Sequence, residues 1–416
     1  MLRHYLVLAT KVLLRRKFFT FISLFGISFT LLVLMVVTAF LDNVFAPAAP
    51  ETRQDRTLGV HYAIMSGEHN TWNGTPGYKL FDRYARNLPG VERLSLYTNA
   101  GAAFSYVDGQ KIQSSLKRTD GEFWNILAFT FVEGAPYSQQ DLEEARFVAV
   151  INRTTRQKFF NGAPAVGRTI DVDGQRFHIV GVVEDVSEFR FVPFADIWVP
   201  YTTAKTNAYK NQLMGDFNAL ALAVDRPAMD QIREEFNSRL QRIEFDDPKR
   251  YDTMVAPFGT KFEGLARNSP FTNRRDPTSQ AWKIRLLMAF LAVLFLLLPT
   301  VNLININISR IIERASEIGV RKAFGASSRA LVGQFIVENV LLTLVGGLIG
   351  FALSALVLRA FNQSGMVRYA QFGVNLRIFF YGLLLALVFG LLSGVYPAWR
   401  MSRLHAVDAL KGGVAR

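Results

Sequence analysis

Apolar residues are unevenly spread along this chain. Four uncharged runs, Phe18 to Leu41, Leu286 to Ile306, Asn339 to Leu358 and Ile378 to Trp399, stand apart from long stretches of mixed polarity. At about 1.5 Å rise per residue, each run is long enough as a helix to cross a hydrocarbon layer of roughly 30 Å. The pattern predicts four transmembrane helices. Ahead of the first, Leu2, Tyr5, Leu6, Ala9, Val12 and Leu13 recur at helical spacing, while Arg3, Lys11 and Arg15 lie elsewhere on the wheel. This reads as a cytoplasmic amphipathic helix on the inner leaflet, or as a plain extension of the first span.

Between the first two runs the period changes. FSYVDGQKIQSSL and RTIDVDGQRFHIVGVVEDV each place Asp-Gly between alternating runs, the mark of a β-hairpin. RFVAVI and DIWVPY read as strands and NRTTRQKFF as a short helix. AMDQIREEFNSRLQRI reads as an amphipathic helix with Ile232, Phe236, Leu240 and Ile243 on one face. The polar run Glu263 to Gln280 reads as a stalk or flexible connection. The predicted fold class is an α-helical membrane protein with four transmembrane helices and a large α+β extracytoplasmic domain inserted between the first and second.

Charge orients this layout. Arg3, Lys11, Arg15, Arg16 and Lys17 precede the first span, and Asp42 and Glu51 follow it, which places the N-terminus in the cytoplasm. The expected division is residues 1–17 cytoplasmic, 18–41 spanning, 42–283 outside, 284–306 spanning, 307–330 inside, 331–358 spanning, 359–377 a short outer loop, 378–399 spanning and 400–416 a cytoplasmic tail. The inner loop carries Arg310, Arg314, Arg321, Lys322 and Arg329, in keeping with this. The net charge of +13 lies largely in such membrane-flanking segments, so it speaks for lipid headgroups and against nucleic acid. The absence of cysteine excludes disulfides, thiol catalysis and thiolate metal sites.

Small residues recur every four positions in the last two spans: Gly346, Gly350 and Ser354, then Gly382, Ala386, Gly390, Gly394 and Ala398. Such strips let a neighbouring backbone approach closely, and helix packing is the expected role. Catalytic patterns are lacking. GAPAVGRT, Gly162 to Thr169, is one lysine short of a phosphate-binding loop and runs on into a predicted strand, whereas such a loop must open a helix. The histidines His4, His61, His69, His178 and His405 are scattered, and no metal set is expected. The chain reads as a non-enzyme.

One charged element sits between the second and third spans. In SEIGVRKAFGAS, Glu317 and Arg321 stand four apart with the acid first, which supports a helix. Gly325 suits a left-handed end, and Ser327 or Ser328 can cap the next helix. From the residues alone this is either a rigid cytoplasmic element for a partner or an ordinary juxtamembrane turn.

These residues, with GVYPAWRMSRLHAVDALKGG after the last span and FVAVINRTTRQKFFNGAPAVGRTIDVDGQRFHIVGVVEDV and DIWVPY outside, resemble a MacB/FtsX-type permease of the ABC transporter superfamily. The resemblance covers most of the chain. It implies that Ser316, Glu317, Ile318, Gly319, Val320, Arg321, Lys322, Ala323, Phe324 and Gly325 form a coupling helix gripped by a cytoplasmic ABC ATPase dimer. ATP and magnesium would then bind that partner, with no cofactor on this chain, and a second permease chain, identical or not, would complete the complex. It further implies the bacterial inner membrane as location and export or efflux as outcome, with a periplasmic adaptor and an outer-membrane channel. Non-transporting activation of a periplasmic cell-wall hydrolase and lipoprotein release share the same architecture.

Overall fold

The computed structural model describes residues 2–15, 17–107, 109–295, 297 and 328–402. The chain forms two compact units. The helical unit is Met1–Asp42, Leu287–Met366 and Gln371–Arg416, and the outer unit is Asn43–Leu286 with Val367–Ala370.

Helix α1 covers Leu2–Arg15, and α2, Lys17–Phe45, contains the first apolar run. Among the described residues, Lys17–Phe45 and Ile336–Ser364 are long and apolar enough to cross a membrane. The latter is part of a helix Ser328–Ser364, and the last apolar run lies in a helix Leu376–Ser402. Of the second predicted span, residues 284–295 are helical, and 296 and 298–306 lie outside the described residues. Within the helical unit α2 meets both later helices. Ser28 Oγ donates to Gly346 O at 3.0 Å, Phe40 stacks on Phe372 at 4.3 Å between centroids, and Asn375 Nδ2 donates to Asp42 Oδ2 at 2.7 Å.

The outer unit is built on a ten-stranded mixed sheet. Its strands are β1 (Thr57–Val60), β4 (Val91–Thr98), β5 (Gly101–Val107), β6 (Gln110–Thr119), β7 (Phe131–Gly134), β8 (Val148–Asn152), β9 (Thr169–Val172), β10 (Gln175–Val183), β11 (Ile197–Pro200) and β12 (Phe217–Ala223). Their order is β1-β12-β4-β6-β11-β8-β10-β7, with β5 on β6 and β9 on β10. Strands β8 and β10 run parallel, as do β6 and β11. A three-stranded sheet joins β2 (Ala63–Ser66), β3 (Thr71–Gly74) and β13 (Thr253–Val255) in the order β13-β2-β3. Every residue of β12 is buried, so its apolar run has no polar face.

Both Asp-Gly hairpins form. In the second, Asp173 and Gly174 take φ of 50° and 75°, the left-handed pair that a two-residue turn between twisted strands requires. The remaining helices are α3 (Tyr78–Tyr84), α4 (Glu122–Ile126), α5 (Gln139–Glu143), α6 (Arg153–Phe160), α7 (Ala228–Leu240) and α8 (Lys261–Arg267). Asn152 caps α6 by accepting from Thr155 N, and Asn161 ends it in a left-handed conformation. Helix α7 buries Ile232, Phe236 and Leu240 on one face but ends at Leu240, so Ile243, expected on the same helix, lies beyond it and packs half-buried against the same core. The run expected as a stalk begins differently: α8 opens on a capping box between Thr260 and Glu263, and Arg267 donates back to Asp276 O and Pro277 O. GAPAVGRT leads into strand β9.

Candidate functional site

The richest polar chemistry of the outer unit gathers on residues 184–196, the connection from β10 to β11. Its position is fixed by the buried end of β10, Gly181–Val183, and by the buried strand β11, and its sequence, EDVSEFRFVPFAD, alternates charge with large apolar groups. Aromatic and aliphatic members enter the core, since Val192, Phe194 and Ala195 are buried. The polar members are left to bind backbone and charge.

Arg190 receives the first stretch of the unit. Its Nη2 donates to Ala46 O at 3.0 Å, and its Nη1 donates to Ala48 O at 3.2 Å and to Glu51 Oε2 at 3.0 Å. Ser187 Oγ donates to Asn43 Oδ1 at 2.7 Å. Lys261, the first residue of α8, also donates to Glu51 Oε2, at 2.7 Å. The side chains of Arg190, Glu51 and Lys261 are 8%, 7% and 10% exposed, so one carboxylate answers two cations with little water. Burial holds the Lys261 ammonium below its ordinary value, and Glu51 partly restores it.

Two bases lie behind this cluster, Lys117 fully buried and His61 half-buried. Lys117 on β6 donates to Phe191 O at 2.8 Å and to Val192 O, which pins the loop backbone. Desolvation pushes its pKa down to about 7, and Glu51 opposes the shift. His61 shares a hydrogen bond of 3.1 Å between Nδ1 and the Tyr97 hydroxyl, and meets Phe191 edge-on. Burial lowers it to about 4, with Lys117 and Lys261 acting in the same direction. A small cleft, open to solvent, is lined by Glu51, Arg53, His61, Ile126, Val192 and Lys261 among others.

The second cluster involves the four distant residues Val367–Ala370. Arg368 Nη2 and Nε donate to the two oxygens of Glu188 at 3.1 and 3.3 Å, and Nη1 donates to Ser115 Oγ at 3.1 Å. Its guanidinium lies 4.9 Å over the Phe194 ring and 3.6 Å from Asp196 Oδ2. The Glu188 amide donates to Arg368 O at 3.0 Å. Tyr369, at φ 58°, donates its hydroxyl to Asp196 Oδ1 at 2.5 Å. Asp196 is buried and also accepts from Ser115 N and from Asn152 Nδ2, the cap of α6. The Arg368 hydrogen bonds hold Glu188 below the usual carboxylate range, and burial pushes the Tyr369 phenol up.

None of these groups was singled out by sequence reasoning. Glu51 entered only as a flank charge of the first span, and His61 only as a scattered histidine. The available signal was the run of charges inside 184–196, set between the apolar end of β10, IVGVV, and the apolar strand β11. The expected coupling residues Ser316 to Gly325 lie outside the described residues. Of the small residues, Gly346 faces Ile27, Gly350 faces Ser28 and Leu31, and Gly382 faces Leu31 and Leu34, all on α2. Gly390 faces Thr343, and Ser354 is buried with its hydroxyl on Phe351 O. Gly394 and Ala398 lie on the last helix, and Ala386 is partly buried there. Among the described residues no group of acids and histidines is placed to hold a metal.

Residues 20–239 match the family of MacB-like periplasmic core domains, and residues 289–406 match the FtsX-like permease C-terminal region. The macrolide export ATP-binding/permease protein MacB of Escherichia coli K12 is 28% identical over 303 residues, 72% of this chain and 43% of that protein. The protein of the same name from Shigella boydii is 27% identical over the same length. The chain thus spans less than half the length of these relatives. Among solved structures, the periplasmic region of MacB from Actinobacillus actinomycetemcomitans is 12% identical, with a TM-score of 0.37, covering 51% of this chain and 94% of that one. With one family model covering more than half of the chain and a second following it in order, the chain belongs to the MacB/FtsX-type family of ABC transporter permeases.

Proposed function

We propose that this chain is the permease subunit of an ABC exporter, which converts ATP hydrolysis by a separate cytoplasmic ATPase dimer into movement of the outer unit. The observation that carries this reading is the pair of family matches, periplasmic core then permease region, on one chain whose relatives are named for macrolide export. In this reading the chain crosses the bacterial inner membrane four times with both ends inside, and residues 42–283 stand in the periplasm. Residues 316–325 form the coupling helix for the ATPase, which carries ATP and magnesium. A second permease chain, whether a copy or a homologue, completes the symmetry of the ATPase dimer. Substrate is handled in the periplasm or taken from the outer leaflet, with a periplasmic adaptor and an outer-membrane channel beyond.

Mass spectrometry of the complex purified in mild detergent tests this reading. An ATPase together with an adaptor is the expected result. A copurifying peptidoglycan hydrolase in place of the adaptor would replace export by signal transmission to the cell wall, and a lipoprotein-bound complex would replace it by lipoprotein release. For topology, Gln113→Cys and Ser402→Cys in this cysteine-free chain should differ in intact cells. Only the first should react with an impermeant thiol reagent.

A further inference from the structure

Residues Val367–Ala370 belong to the outer unit, although the helices before and after them, Ser328–Ser364 and Leu376–Ser402, lie in the other. The chain therefore leaves the helical unit for four residues and returns. Those residues are attached to 184–196 differently from the start of the unit. Glu51 and Arg190 are more than nine-tenths buried, and breaking such a pair strands a charge. Arg368 and Glu188 are 45% and 43% exposed, and a pair so open to water is weakly held. Tyr369 is held at φ 58°, an uncommon conformation for a bulky residue, while its hydroxyl reaches buried Asp196. A buried attachment and a more exposed one, which also reaches the buried carboxylate of Asp196, thus meet on one loop.

We propose that Val367–Ala370 is a releasable clasp of the ATP-driven cycle, closed through Arg368 on Glu188 and Tyr369 on Asp196 and open in the other arrangement of the permease. Arg368 and Tyr369 are then positioning residues. When the helices on either side of the clasp shift, Asp196 loses a partner, and with it the strand end β6 at Ser115 and the α6 cap at Asn152 lose part of their support. The clasp rests on the reading of this chain as an ATPase-coupled permease.

Its test uses the complex with its copurified ATPase. The Glu188 amide donates to Arg368 O and the two side chains pair, so Glu188→Cys with Arg368→Cys should cross-link on mild oxidation in this cysteine-free chain. Hydrolysis by the oxidised complex should fall at least about five-fold and recover in the same sample on adding dithiothreitol, because a locked step limits turnover. The single-cysteine variants, oxidised alike, should show no such reversible loss. Equal rates before and after reduction, within about 1.5-fold, would make the segment a static brace and overturn the clasp. Failure of the disulfide to form would overturn the docking itself. Absence of any ATPase from the parent complex, seen before a cysteine is introduced, would instead remove the permease reading and the clasp with it.

Discussion

Arg190 Nη1 lies 3.0 Å from Glu51 Oε2, and both side chains are more than nine-tenths buried. Because Lys261 shares the same oxygen, Glu51→Ala would leave two desolvated cations without a counter-charge. We expect a loss of about 3–5 kcal/mol, with Glu51→Gln losing less because the amide oxygen still accepts. Equilibrium denaturation of the full chain in detergent measures it. A change within about 1 kcal/mol for Glu51→Ala would mean that water already compensates the cluster.

Lys117 makes stability depend on alkaline pH. Its folded value is near 7 against 10.5 in the open chain, so between these values the unfolded state holds a proton that the folded state has released. Stability therefore rises with pH across that window, and below about 7 the full cost of the buried charge is present. At about 1.36 kcal/mol per pK unit the rise amounts to a few kcal/mol at most. Lys117→Met should flatten the slope between pH 7 and pH 10, whatever it costs in absolute stability by stranding the two carbonyls. His61 acts in the same sense at lower pH, with stability lost as pH falls from 6.5 through about 4. Asp120, pushed up to about 6 by burial, opposes it there, since stability is lost as pH rises from 3.8 through 6. Unchanged slopes in Lys117→Met would show that another group titrates.

Gly350 has no room for a side chain. A Cβ there would sit 2.9 Å from Ser28 O and 3.1 Å from Leu31 Cβ, and the first contact is backbone that cannot swing away. Gly350→Val should lower the melting temperature in detergent, with a cost of about 1–3 kcal/mol from overpacking. Gly333, on the same helix, meets nothing within 4 Å among the described residues, and Gly333→Ala should be neutral or stabilising by up to about 1 kcal/mol. Equal behaviour of the two variants would deny the close approach.

The coupling role proposed for residues 316–325 makes a prediction of its own. If they form the expected helix, Glu317→Lys replaces a favourable i, i+4 pair with repulsion, a loss well under about 1 kcal/mol to that helix. A desolvated charge contact with a partner subunit is worth about 2–5 kcal/mol when one side is lost. The variant should insert normally and copurify less ATPase, or hydrolyse without coupling. Gly325→Val should act by re-aiming the helix end, because a β-branched residue resists the left-handed turn. Parent-like ATPase recovery and transport in both would reduce the segment to a turn.

Local chemistry made part of this fold legible. The hairpin at Asp173-Gly174, the short helix in NRTTRQKFF and the face Ile232, Phe236 and Leu240 each depend on residues a few positions apart, and each is present. The capping box Thr260 to Glu263 was equally local and was overlooked inside a polar run. Strand order was not accessible by such means. Thr57 pairs with Leu222 and Ile197 with Leu116 because of burial across the whole domain, and no periodicity encodes that. The same limit applies to the site, where Glu51 meets Arg190 and Arg368 meets Glu188 over 139 and 180 positions. Charge in a loop signals that a partner exists without saying which.

Because Val367–Ala370 belongs with Asn43–Leu286, the outer unit is encoded in two separated pieces. Cutting the gene at the ends of the large insertion, the obvious way to obtain a soluble fragment, yields a body missing one wall. Asp196 would lose its phenol donor, and Glu188 and Phe194 would lose the guanidinium that covers them. Grafting this domain onto another permease, or raising binders against it, therefore requires the Arg-Tyr segment to be spliced back in. Otherwise the face presented is one that the intact protein keeps covered.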